Sequence, residues 1–319
     1  MRRTTAAGVL AVALLAPTAC RSAGEIAEPV PATLTSEVPS AIEPLPAESS
    51  VPPPVPSPAP PPATNPPAPV PSAAAGPGPA PPPTPAALGA ELARVEVAVR
   101  DPATPAADLP ALGLAQQVGY RQLAYNPGWR PEVLRAVPAS LHAAVVANAD
   151  AEALLASMHV RRPTTLPKWR IVAPPPAPTI LAAHQAAAKE VGVPWEVLAA
   201  IHLVETRMGR IRGTSTAGAK GPMQFLPATW SQYGAGGDIE DLTASSKAAA
   251  RLLKRNGVND NPRGAVWSYN HSYAYVDAVL AYAATMRADQ RAFFGYHGFQ
   301  VFYRHANGDI LLPEGWNGS

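Results

Sequence analysis

The chain has 319 residues, more than one compact domain usually needs, but 41 of them are Pro, so part of it is not globular. Its formal net charge of +2 excludes the strongly basic footprint of a nucleic-acid binder. The one cysteine, Cys20, excludes an intrachain disulfide.

Residues 1–20 read as an export signal. Met1-Arg2-Arg3 is basic, Gly8 to Ala16 is an apolar run too short to span a bilayer, and Pro17-Thr18-Ala19 precedes Cys20. The arrangement resembles a bacterial lipoprotein signal, which implies lipid attachment at Cys20 and a membrane anchor. Pro17 stands where such signals carry an aliphatic residue, and ordinary signal cleavage is the alternative. Residues 21–85 are expected to be a disordered Pro/Ala-rich linker. Residues 29–85 hold 23 Pro, which fix φ and remove donors, so neither helix nor ladder can form. An extended spacer of this kind reaches on the order of 170 Å at about 3.1 Å per residue. Residues 22–85 hold five Glu and no Lys or Arg, which leaves the remainder mildly basic, a balance that suits an anionic polymer.

From Ala86 the pattern turns helical. Leu88, Leu92, Val95 and Val99 form one amphipathic stripe, ended by Asp101-Pro102. Helices are predicted over 112–125 and 132–158, the second broken at Pro138. Residues 86–165 therefore read as a helical accessory region. Its cluster Tyr120, Arg121, Tyr125, Trp129 and Arg130 fits a domain seam better than a sugar-facing surface. A broken connector follows, pinned by Trp169. The next predicted helices cover 179–191, 194–211, 227–233, 244–256 and 273–286, with Gly192 and Gly257 as stops. A hairpin around Asn307-Gly308 is expected in the C-terminal tail, 291–319, packing on the domain at 166–290. The fold class is mainly α.

The chemistry concentrates in 201–233. Glu205 lies on the apolar face marked by Val197, Leu198, Ile201, Val204 and Met208. A buried carboxylate lowers stability unless it is paired or used; its natural use is a general acid whose pKa burial raises. The competing reading is an ion pair with Arg207, Arg210 or Arg212. Small residues from Ser215 to Gly221 let backbone approach a ligand, and Met223-Gln224-Phe225 offers one amide among apolar contacts. Further on, Tyr269-Asn270-His271-Ser272 precedes a helix, with Asn270 or Ser272 as its cap. Asp238 to Asp241 reads as a polar turn. No calcium loop or histidine metal spacing is present, so no metal and no cofactor are expected.

These three blocks resemble the lytic transglycosylases of the lysozyme-like superfamily, most closely the secreted actinobacterial branch related to membrane-bound lytic transglycosylase B. The carriers are E-T-x-x-G at 205–209, S-T-A-G-A-x-G-P-M-Q-F-x-P-x-T-W at 215–230 and Y-N-H-S-x-x-Y-V-x-x-V-L at 269–280. The resemblance covers about 166–286 and implies a lysozyme-like α domain. It implies cleavage of the β-1,4 MurNAc–GlcNAc bond of peptidoglycan to 1,6-anhydro ends. Glu205 then matches the catalytic acid/base. Ser215, Met223, Gln224 and Phe225 match the motif bordering the glycan cleft, and Tyr269 and Asn270 the groups facing the acid. Thr206 stands where the family has Ser or Thr, and His271 and Tyr275 belong to the third block, where a packing role competes with one in the site. Peptidoglycan strands are the implied partner, the cell envelope the implied location, and a monomer the expected state. The alternatives are a muramidase-type hydrolase, using Asp238, Glu240, Asp241 or Asp277 as a second carboxylate, and a non-catalytic glycan-binding protein.

Overall fold

The structure is a computed structural model that describes residues 72–158 and 161–318. The signal, Cys20 and the linker to residue 71 lie outside the described residues.

The first helix, α1 (Pro85–Arg100), starts where Thr84 Oγ1 accepts from the Ala87 amide and Pro85 occupies the first turn. Its predicted stripe of Leu88, Leu92, Val95 and Val99 is fully buried against α2 (Leu109–Tyr125) and α3 (Arg130–Ala136). The chain breaks at Pro138, as the missing donor requires, and resumes as α4 (His142–Ser157). A connector leads through strand β1 (Arg170–Ile171) to α5 (Ala177–Val191), which stops at Gly192 in left-handed backbone (φ 74°). Then come α6 (Trp195–Thr206), strand β2 (Ile211–Arg212), α7 (Pro227–Tyr233) and α8 (Leu242–Arg255). The order closes with α9 (Pro262–Tyr269), α10 (Tyr273–Ala288), α11 (Ala292–His297) and the hairpin β3 (Val301–His305) to β4 (Gly308–Leu312).

Helix α10 is the axis of the packing. It lies between α4 and α6, and α5 with α8 covers the far side of α6. One continuous core runs from Leu88 through Val145, Leu198 and Val279 to Phe299. The helices of 86–165 share this core with those that follow. Tyr282 of α10 donates to Glu152 of α4 at 3.1 Å, and Tyr296 of α11 donates to Asn148 at 2.6 Å, across the boundary expected near 165. A small second core of Ile171, Val301, Tyr303, Leu312 and Trp316 joins the connector to the hairpin. Strands β1 and β2 pair antiparallel, with Ile171 opposite Ile211.

Three expectations need correction. The helix predicted over 194–211 ends at Thr206, because Arg207 (φ 53°) and Met208 (φ 59°) both take left-handed backbone and turn the chain back. The proline-rich stretch expected to run free to residue 85 is held from residue 72. Gly76 exchanges both backbone hydrogen bonds with Leu311 on the open edge of β4, which a proline in that position could not do. Helices α9 and α11 were not expected. Each is short, and α9 depends on the Asn261 side chain accepting from the Gly264 amide at its first turn.

Candidate active site

Glu205 sits in the last turn of α6, where the helix leaves the core. The residue opens partly on a cleft, yet the protein around its carboxyl is dense enough that desolvation pushes the pKa up to about 8. The hydroxyl of Tyr275, on α10, donates to Glu205 Oε1 at 2.7 Å and eases the shift. No arginine does. Arg210 pairs with Glu314, and Arg207 Nη1 donates to the Leu203 carbonyl at 3.1 Å. The ion-pair reading of Glu205 therefore fails. By contrast, Glu96 and Glu152, the fully buried carboxylates among the described residues, face Arg100 and Arg121.

Thr206 fastens the turn after the acid. Its hydroxyl donates to the Pro222 carbonyl at 2.7 Å and accepts from the Gly209 amide at 3.1 Å, tying α6 to the loop 215–225. That loop is stapled rather than loose. Ser215 Oγ accepts from the Ala219 amide at 2.9 Å, and Lys220 and Phe225 exchange backbone hydrogen bonds at 2.9 Å. Gly221 (φ 75°) is required: a Cβ there would stand 1.9 Å from the Ile239 carbonyl oxygen. Gln224 takes left-handed backbone (φ 49°), and both its amide N–H and its Nε2 donate to the Gly221 carbonyl, at 3.1 and 3.0 Å.

Beside Glu205 lies a cleft, partly open to solvent, with about 100 Å³ of room inside it. Its floor is Val204, Glu205 and Arg207, and one wall is Gly213, Thr214, Ser215 and Gln224. The far wall comes from Arg121 of α2, Glu152 and Leu155 of α4 and residues 301–304 of β3, and Trp169 joins the two walls, beside Gly213 and edge-on to Tyr303. Of the expected site residues, Glu205, Ser215 and Gln224 share this cleft. Met223 and Phe225 do not: both are buried in the core beneath it, Phe225 edge-on to Trp230 and Tyr269. Tyr269 is buried and donates to the Met223 carbonyl rather than to the acid. The Glu205 carboxyl still helps to push the Tyr269 phenol upward, although burial is the larger cause. Asn270 is buried with Nδ2 unpartnered, and Ser272 caps α10. Tyr275, for which packing and a place in the site were both open, is the residue that touches the acid.

Sequence reasoning passed over the far wall. Arg121, Glu152, Trp169 and Phe302 come from four separate segments, and no local pattern joins them. The cluster around Tyr120 divides instead of forming one seam. Tyr120 is core, Arg130 pairs with Asp150, and Arg121 reaches the cleft. Glu152 is a second carboxylate in the cleft wall, held by the Tyr282 hydroxyl and Arg121. The four acids considered for hydrolysis lie elsewhere. Asp241 caps α8, Asp238 accepts from the Glu240 amide, and Asp277 pairs with Arg263. Glu240 does not line the cleft.

Among the described residues no group of three or more His, Cys, Asp or Glu converges on a point, and no helix is long and apolar enough to cross a membrane.

Residues 182–292 match the family model described as the transglycosylase SLT domain. No curated protein and no solved structure matches the chain. The matched span holds Glu205, the stapled loop and Tyr275, and leaves out Arg121, Glu152 and the hairpin.

Proposed function

From a chain that carries a transglycosylase SLT domain of the lysozyme-like superfamily, we propose a peptidoglycan lytic transglycosylase that works with one carboxylate, Glu205. The observation that carries this reading is the isolation of that carboxyl. It is desolvated, bonded to a neutral phenol and in no ion pair among the described residues, so it rests protonated at neutral pH.

A protonated Glu205 is a general acid. It gives its proton to the glycosidic oxygen as the bond to muramic acid C1 breaks, and the sugar becomes oxocarbenium-like. The carboxylate left behind is now a base at the same place. It takes the proton of the muramic acid C6 hydroxyl, whose oxygen bonds to C1 and closes a 1,6-anhydro ring. The proton returns to Glu205, water is not consumed, and a second ionised carboxylate is not needed. Tyr275 holds the carboxyl in one orientation through both transfers. Ser215 and Gln224 border the reacting sugar on one side, and Phe302 offers an apolar face on the other.

Work on wall glycan belongs outside the cytoplasmic membrane. The apolar leader and Cys20 support export and anchoring, with the proline-rich stretch as the spacer between membrane and wall. The protein acts as a monomer in this reading.

Mass spectrometry of soluble muropeptides released from peptidoglycan tests it, with Glu205→Gln and Glu152→Gln alongside. Wild-type products lighter than reducing muropeptides by one water, absent with Glu205→Gln, are expected. Reducing products lost with Glu152→Gln would replace the reading with hydrolysis.

A further inference from the structure

We propose that Arg207 and Arg304 form an anion position in the cleft that takes a carboxylate on the lactyl branch of muramic acid. The source is either the lactyl carboxylate of a denuded strand or a carboxylate of its peptide stem. This rests on the function proposed above, since it assigns a further part of the same substrate.

Three arginines line the cleft, and they differ in what they already hold. Arg121 is saturated: it bonds Glu152 and Asp309 and lies over the Phe302 ring at 4.5 Å. Arg207 has the Leu203 carbonyl for one nitrogen and no ion pair among the described residues. Arg304 lies over the Tyr125 ring at 5.7 Å and donates at 2.8 Å to its hydroxyl, which in turn donates to Asp309, and it makes no ion pair of its own among the described residues. The cleft thus carries two guanidiniums with donors to spare. A guanidinium presents a planar fork suited to a carboxylate.

Arg207 is also placed at a cost. It is a non-glycine residue in left-handed backbone, with φ 53°, two positions after the acid. Such strain persists where the surrounding structure imposes it, and it collects at ligand sites. Its charge is not aimed at the acid. Burial alone raises the Glu205 carboxyl, whereas the Tyr282 phenol, bonded to Glu152, does feel the Arg207 cation. Arg207 and Arg304 line the same cleft, one from the end of α6 and the other from β3. Within a neutral disaccharide backbone nothing calls for two unpaired cations. The lactyl branch of muramic acid is the part of the substrate that carries negative charge.

The test compares wild type, Arg207→Gln and Arg304→Gln on three soluble glycan strands: stem-bearing, denuded, and stem-bearing with every carboxylate amidated. The expected result is a rise of about tenfold in KM for the variants, with a smaller change in kcat, on a strand carrying the recognised carboxylate, and little change on the amidated strand. An effect confined to denuded strands assigns the lactyl carboxylate; one confined to stem-bearing strands assigns the stem. Added salt should raise the wild-type KM on that same strand and leave the variants nearly flat. Equal effects on all three strands would overturn the anion position while leaving the transglycosylase reading intact. No turnover of any strand by wild type would remove the functional reading itself. Arg207→Asn, whose side chain tolerates left-handed backbone, replaces Arg207→Gln if that variant loses thermal stability.

Discussion

Glu205→Gln reports on the site through stability as well as rate. In the native fold burial raises the carboxyl from 4.5 to about 8, and the Tyr275 hydroxyl only partly opposes the shift. In the unfolded chain the group titrates near its ordinary value. Between those limits the native state keeps a proton that the unfolded chain has released. The stability associated with neutral Glu205 is thus fully present below about pH 4.5 and is lost as pH rises through about 8. At about 1.4 kcal/mol for each pH unit, complete ionisation would cost about 5 kcal/mol in a sealed site. Glu205 opens partly on the cleft, so water screens the ion and about 2–3 kcal/mol is the working figure. Gln has nearly the same shape and no charge at any pH. The variant should match wild type near about pH 4.5 and exceed it by about 2–3 kcal/mol near about pH 9, a gap of roughly 5–10 °C in Tm for a unit of this size. Thermal unfolding of both proteins across that range measures the gap. Curves that stay parallel would refute the claim that the carboxyl is desolvated and unpaired, and with it the reason for treating Glu205 as the acid.

Tyr275→Phe removes the one hydrogen bond to the carboxyl among the described residues. Because that bond favours the ion, its loss should move the basic limb of the kcat/KM profile to higher pH and lower the neutral rate by about tenfold, the scale of one charge-assisted bond. A slower enzyme with an unmoved pH profile would show that Tyr275 does not act through Glu205. Gly221→Ala forces a methyl against the Ile239 carbonyl in left-handed backbone, which should lower stability by about 3 kcal/mol or more and abolish turnover. An unchanged Tm by calorimetry would show that the loop does not need this geometry to hold Gln224.

The legible parts of the molecule were those written in local chemistry. The stripe Leu88 to Val99, the break at Pro138 and the Asn307-Gly308 turn of the hairpin each follow from periodicity or from one residue's backbone limits. The end of α6 did not, because Arg207 and Met208 carry no signal for left-handed backbone; the Thr206 hydroxyl, which bonds a loop 16 residues on, fastens that turn. Within the site, the position of Glu205 on an apolar face was readable and its isolation was not. Three arginines stand within seven residues of it, and only their partners in space, Glu314 for Arg210 and Leu203 for Arg207, show that none pairs with it. Met223 and Phe225 carry the motif but lie under the cleft, whereas Tyr275, outside the expected site, meets the acid.

The far wall gives the helices before residue 165 a reason to exist. A cleft built by the matched span alone would leave Glu205 on an open ledge, where water would return its carboxyl toward the ordinary range. Helix α4 closes one side with Glu152 and Leu155, and α2 contributes Arg121. The hairpin β3–β4 adds Phe302 and is itself braced by residue 76 on its outer edge. Arg121 joins these elements, since it bonds Glu152 on α4 and Asp309 on β4 at once. Removing either acid would leave a mostly buried guanidinium short of a partner, a loss of about 3 kcal/mol or more, and would loosen the wall that faces the acid. The same arginine chemistry thus serves two ends in one cleft. Where a carboxylate is structural, as at Glu152, an arginine meets it. Where a proton must be kept and then given up, as proposed for Glu205, no arginine pairs with the carboxyl among the described residues.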